Sequence, residues 1–341
     1  MIRRRPFLVG LGAALNIGAG PLGAAETADW HRWKTAFLRD DGRVTDALQG
    51  DASHSEGQGY GLLLAQAHGD KAAFQAMEHW AEQSLAIRQD SLMAWRWRPE
   101  DGIPDWHNAT DGDLFRAWAL MRADRFSGWS GADGTGYGAK ARHIAADIAA
   151  LCLAPDPRAP DEPLLTPSAE SARGTDGVLF NPSYVMPRAL RELGLFAALP
   201  RLVQAADHGE TVLAELARRG PVPDWTRITP AGFSAPERHS SDHGYDAMRV
   251  ALYLLWSDRR AHPAVARAAR LYRDAGLPVP TVLSAGGEIR DRSTYAGYAE
   301  LRALVLCRAQ LTGGPDRSPY YPATLGLMAQ VARRESRSCS N

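Results

Sequence analysis

Three acidic positions stand where helices are expected to begin, each among small or aromatic neighbours. Glu56 lies in Ser53-His54-Ser55-Glu56-Gly57-Gln58-Gly59-Tyr60-Gly61, ahead of an apolar run. Three glycines in five residues allow the close backbone approach that a site wall requires. The same segment also reads as a capping box, with Ser53 as N-cap and Glu56 three residues on. Asn108-Ala109-Thr110-Asp111-Gly112-Asp113 carries two acids at the head of another helix. Thr and Asp are ordinary N-caps, so one of these acids is free for another job. An Asp-x-Asp pair also suits a cation loop, but no further oxygen-rich ligand set follows it. Asp246 and Arg249, in Gly244-Tyr245-Asp246-Ala247-Met248-Arg249, lie three apart on one helix face and can pair. That pairing favours the carboxylate form a general base needs.

Trp95, Trp97, Trp106, Trp225 and Tyr184 fall in loops or helix starts rather than helix interiors. Rings so placed either stack on sugar faces or form half-buried edges of the core. Acids at loop ends with many aromatics fit glycosidic hydrolysis better than proteolysis or phosphoryl transfer.

The elements that must position these residues read as helix after helix. Apolar residues recur at helical spacing over 30–38, 59–67, 71–87, 113–122, 137–153, 183–193, 201–219, 245–256, 263–275, 297–311 and 323–334. Gly220-Pro221, Gly276 and Gly313-Gly314 supply stops, and Pro263 a start. Strand patterns are scarce, with 92–98 and 177–180 the best candidates, and 154–173 reads as a long surface loop. Helices paired by short turns suit a solenoid or a closed ring of hairpins, and no repeat supports the solenoid.

With 341 residues and 45% hydrophobic content, the chain can bury a large core, which excludes disorder and a disulfide-stapled miniature. Lys+Arg and Asp+Glu balance at 39 each, so no positive field points to nucleic acid. Residues 1–25 read as a signal peptide: three Arg, an apolar small-residue stretch, then Gly23-Ala24-Ala25. Arg4-Arg5-Pro6-Phe7-Leu8 also fits a twin-arginine signal, leaving the export route open between that and the general pathway. The segment holds three of the 39 basic residues and no acid, so its removal leaves a net charge of −3. The expected product is exported to the periplasm or medium, with no membrane insertion of the mature chain and a single domain over 26–341. Of three Cys, Cys152 and Cys307 sit in apolar stretches and Cys339 in the polar tail. Two buried thiols and one loose one is the expectation, a Cys152–Cys307 bridge the alternative. No Cys spacing suits zinc.

SEGQGYG (55–61), NATDGD (108–113), FNPSY (180–184), PDW (223–225) and YDAMR (245–249) occur in one order. In these motifs the chain resembles glycoside hydrolase family 8, from about residue 30 to 334, and most of all its members that accompany bacterial cellulose synthase. The resemblance implies an all-α (α/α)6 barrel with a substrate cleft at one end. It implies an inverting endo-β-1,4-glucanase without cofactor or metal, acting on β-1,4-glucan beside a cellulose synthase complex. Glu56 matches the general acid, Asp246 the general base, and Asp111 an acid that binds and distorts the sugar at the cleavage point. Tyr245 and Arg249 hold Asp246 and the water; Tyr184, Trp95, Trp97, Trp106 and Trp225 contact the glucan; Asp113 supports the Asp111 loop. A raised pKa is expected for Glu56. A chitosanase or xylanase of the same family, or a non-catalytic glucan-binding assembly protein, are the alternatives.

Overall fold

A helix apolar on every side must be enclosed, whereas one with a single apolar stripe can lie outside. The chain sorts its helices this way. The computed structural model describes residues 24–339, apart from 132, 133, 135, 172 and 310–317. The expected signal peptide therefore lies outside the described residues but for positions 24 and 25. Among the described residues, α2 (Ser55–Ala67), α4 (Thr110–Ser127), α8 (Met248–Trp256) and α11 (Tyr320–Glu335) bury side chains on nearly all faces. Between them run α3 (Lys71–Ser84), α5 (Tyr137–Leu151), α7 (Pro200–Arg219) and α9 (Pro263–Ala275), each burying one stripe. The set is completed by α1 (Ala24–Phe37), α6 (Pro187–Phe196) and α10 (Ala296–Val305). Helix α2 packs on α4, α4 on α6, α6 on α8, α8 on α11 and α11 back on α2, so the ring closes. The architecture is an (α/α)6 barrel, as the resemblance implied.

Most helices lie where the periodicity puts them, and the departures have local causes. The 183–193 stretch divides into a 3-10 turn over Pro182–Tyr184 and α6, because Pro187 takes the first helical position. Helix α8 starts at Met248 rather than 245, since the backbone at Gly244 and Ala247 donates to the Asp224 carboxylate instead. The 154–173 stretch is not simply a surface loop. It holds much of an antiparallel hairpin, Leu153–Asp156 with Ala159–Leu165, whose Ala154, Leu164 and Leu165 are buried. Of 92–98 only Arg96–Trp97 is a strand, paired with Ser53–His54 and so tied to the start of α2. Gly177–Phe180 is a strand as expected, in a four-stranded sheet with Arg173–Gly174, Thr226–Thr229 and Gly232–Ser234. A hairpin of Val279–Leu283 with Ile289–Ser293 precedes α10. The cysteine expectation is corrected: Cys307 bonds to Cys339, because the tail returns over the end of α10, and Cys152 remains a buried thiol. No helix among the described residues is long and apolar enough to cross a membrane.

Candidate active site

Glycine decides how closely two helix starts can meet. A Cβ on Gly112 would lie 2.6 Å from the Ser55 carbonyl carbon and 2.7 Å from the Glu56 nitrogen; one on Gly59 would lie 2.8 Å from the Gly112 oxygen. With hydrogen at both positions, the first turns of α2 and α4 pass in direct contact, and Glu56 and Asp111 stand side by side. Both acids occupy first helical turns, where the helix dipole favours negative charge. Neither helix uses them as the capping readings suggest. Backbone caps at His54 and Ala109 make no side-chain bond. The Ser53 hydroxyl has no partner, and Glu56 reaches away toward Arg249.

Arg249, the second residue of α8 and 1% exposed, organises the acids. Its Nη1 donates to Glu56 Oε2 and to Tyr60 Oη at 2.8 Å, with Asp111 Oδ2 3.6 Å away. Its Nη2 donates to Asp246 Oδ1 and Ser183 Oγ, both at 2.7 Å. One guanidinium thus holds Glu56 on one nitrogen and Asp246 on the other, the planar fork suited to such a task. Asp246 Oδ2 also accepts from Asn181 Nδ2 at 3.1 Å. Side-chain exposures of 24% for Glu56 and 32% for Asp246, against 2% for Asp111, leave the first two open to the cleft.

One buried cation cannot neutralise three carboxylates. Burial pushes the Glu56 carboxyl up, but Arg249 and a hydrogen bond from Asp111 outweigh it and hold it below its ordinary range. Asp111 goes the other way, well above its ordinary value, through burial and then the adjacent Glu56 charge. Its Oδ2 accepts no hydrogen bond, the Arg249 Nη1 being 3.6 Å away. The expected raised pKa of Glu56 is therefore corrected: in the free site its carboxyl is lowered and that of Asp111 raised. Asp113 supports the loop as expected, accepting from Met93 N at 2.7 Å and Asn108 Nδ2 at 2.9 Å, which also occupies the oxygens a cation would need. Burial pushes its carboxyl up to about 7.

These acids lie at the floor of a cleft of about 540 Å³ whose walls include His54, Trp95, Tyr184, Tyr298 and Tyr321. Residues 13–277 match the profile of the Glycosyl hydrolases family 8. The chain belongs to this family. It is 34% identical over 334 residues to a probable endoglucanase of Novacetimonas hansenii, covering 93% of each chain. The structure of the endo-beta-1,4-glucanase CMCax from Acetobacter xylinum is similar at a TM-score of 0.78, with 32% identity and coverage of 91% of this chain and 98% of that one. The family 8 endoglucanase Cel10 of Klebsiella pneumoniae superposes at 0.82, with 26% identity over 90% of this chain and 99% of that one.

The expected sugar contacts divide in the structure. Trp95 and Tyr184 line the cleft; Trp225 stands behind Tyr184, edge-on at 6.0 Å, and stacks on His239 at 4.1 Å. Trp97 does not reach the cleft: it packs edge-on to Trp80 at 6.0 Å, with the Arg43 guanidinium 4.7 Å above it. Trp106 is 54% exposed and also lies outside the cleft lining. Tyr245 lines the cleft, but its hydroxyl donates to Asp291 at 3.3 Å rather than to Asp246. Asn181 is the residue that holds Asp246 instead. It and Ser183 come from the Asn-Pro-Ser turn, where Asn181 Oδ1 accepts from the Ser183 nitrogen and hydroxyl. Sequence reasoning also passed over Asp224, whose Oδ1 accepts from Gly244 N and Ala247 N at 2.8 Å each and so shapes the Asp246 loop. Burial pushes Asp224 up to about 6.

Proposed function

We propose that this chain is an endo-β-1,4-glucanase that inverts the anomeric centre, with Glu56 as general acid, Asp246 as general base and Asp111 as the acid that holds the sugar. The observation that carries this reading is the Arg249 fork at the floor of an open cleft, which keeps two accessible carboxyls on separate nitrogens. Inversion needs the two carboxyls roughly 6.5–9.5 Å apart, so that a water fits between the base and the sugar. Asp246 takes the proton of that water as its oxygen attacks C1, while the C1–O bond to the leaving sugar breaks. Glu56 protonates the departing oxygen. In the free site Glu56 lies below its ordinary range and the adjacent Asp111 above it, so Glu56 must take up its proton before it can act as the glycosidic oxygen arrives.

The 34%-identical relative named a probable endoglucanase supports glucan over chitosan or xylan. Export through residues 1–25, a single catalytic domain over 26–341, and service beside a bacterial cellulose synthase complex complete the proposal. They are supported by the leader's composition and by the motif resemblance. The test is reducing-sugar release from carboxymethylcellulose, chitosan and xylan in parallel, for the parent and Glu56→Gln. Carboxymethylcellulose is expected to be the preferred substrate, and the variant to lose roughly 10²–10⁴-fold in rate while still binding oligosaccharide. Preference for another polymer would reject the substrate; a fully active variant would reject the acid. Binding of glucan without turnover by the parent would favour the assembly protein.

A further inference from the structure

A second cavity, larger than the cleft at about 700 Å³, opens between the end of α7, α8, α9 and the hairpin that precedes α10. Its floor is aliphatic, with Val222, Val250, Leu271, Leu283 and Ile289 among the lining residues. Its rim carries four guanidiniums, Arg219, Arg267, Arg270 and Arg292, against one acid, Asp274.

None of the four rim arginines pairs with a carboxylate among the described residues. Arg267 Nε donates to the Ala217 carbonyl, and Arg292 Nη1 to those of Ala275 at 3.1 Å and Pro278 at 2.9 Å. Arg219 lies 4.7 Å over the Phe233 ring. These contacts orient the side chains and leave their charge uncompensated. Guanidinium forks around one opening repel each other and match a carboxylate or phosphate geometrically. An apolar hollow of drug-like size beneath them suits a short hydrocarbon body.

We propose that this cavity binds an amphiphilic anion, a carboxylate or phosphate head on a short acyl chain. The head lies among Arg219, Arg267, Arg270 and Arg292, and the chain lies on the aliphatic floor. Ala247 and Met248 form part of the wall, so the ligand would rest against the back of the helix start that carries Asp246 and Arg249. This site is separate from the glucan cleft and stands whether or not the glucanase reading does.

The test is calorimetric titration of the full chain with decyl phosphate and decanoate below their micelle concentrations. Decanol serves as the neutral control and inorganic phosphate as the head alone. A second arm measures co-sedimentation with phosphatidylglycerol and phosphatidylcholine vesicles, separating a free amphiphile from a bilayer head group. The paired substitution Arg267→Gln with Arg270→Gln changes two exposed helix positions to a residue of similar helix propensity, leaving the fold and the activity on carboxymethylcellulose unchanged. Saturable binding of the anionic amphiphiles or of phosphatidylglycerol vesicles is expected, weakened at least tenfold in the paired variant and unaffected by excess cellobiose. Four results would overturn the proposal. These are no binding in either arm, binding of decanol as tight as that of decyl phosphate, an unaltered paired variant, and displacement by cellobiose.

Discussion

Replacing Gly112 by Ala sets two physical effects against each other with opposite signs. Gly112 lies inside α4, where Ala is the better helix former by roughly 0.5–1 kcal/mol, so propensity alone predicts a more stable protein. Sterics predict the reverse. The new Cβ would stand 2.6 Å from the Ser55 carbonyl carbon, where carbon atoms rest at about 3.5–4.0 Å, so α2 and α4 must part by roughly 1 Å. The obstacle is backbone and cannot rotate away. Overpacking of this kind costs about 1–3 kcal/mol, which outweighs the propensity gain. The displaced backbone is that of Glu56, and a 1 Å misplacement of a reacting group costs about 10²-fold in rate. Urea denaturation and kcat on a soluble cello-oligosaccharide measure both effects. Gly286→Ala is the control, since its Cβ meets only the Ser284 hydroxyl at 3.7 Å, and it should fall within about 0.5 kcal/mol of the parent. A Gly112→Ala protein more stable than the parent and equally active would refute the close-contact reasoning.

Trp95→Ala should raise KM for long glucans with little loss of stability, whereas Trp97→Ala should leave KM alone and destabilise through the lost Trp80 contact; kinetics on cellohexaose with thermal melts separates them. Asp113 shifts upward on folding, from 3.8 to about 7, so the folded state holds a proton that the unfolded chain releases. Stability therefore falls as pH rises from about 4 to about 7, by an amount on the order of a few kcal/mol. The urea midpoint should be higher at pH 5 than at pH 7.5, with a smaller difference in Asp113→Asn. An unchanged difference would remove Asp113 as its source.

The fold was legible because helical periodicity, proline starts and glycine stops agree along the chain. The hairpin of Leu153–Asp156 with Ala159–Leu165 was not legible: Pro155 faces Pro163 in its register, and proline-rich sequence argues against a strand until the two partners meet. The acids were visible as residue types at helix starts, but the opposite shifts of Glu56 and Asp111 were not. The lowering of Glu56 depends on Arg249, which is 193 positions away. Trp97 and Trp95 are two apart in sequence and share a loop. Only the pairing of Arg96–Trp97 with Ser53–His54 turns one ring to Trp80 and leaves the other in the cleft. Asn181 and Asp224 act through bonds across the fold, and nothing local marks them except an Asn-Pro turn and an acid beside Trp225.

The stereochemistry of the first product tests the roles of Glu56 and Asp246 most directly. Proton NMR of cellohexaose hydrolysis, followed from the first turnovers before mutarotation, reads the anomer at the new reducing end. If Asp246 delivers water opposite the bond that Glu56 breaks, the α-anomer appears first and the β-anomer grows in only as it equilibrates. Initial release of the β-anomer would contradict the assignment of Asp246 as base, whatever the activity on glucan.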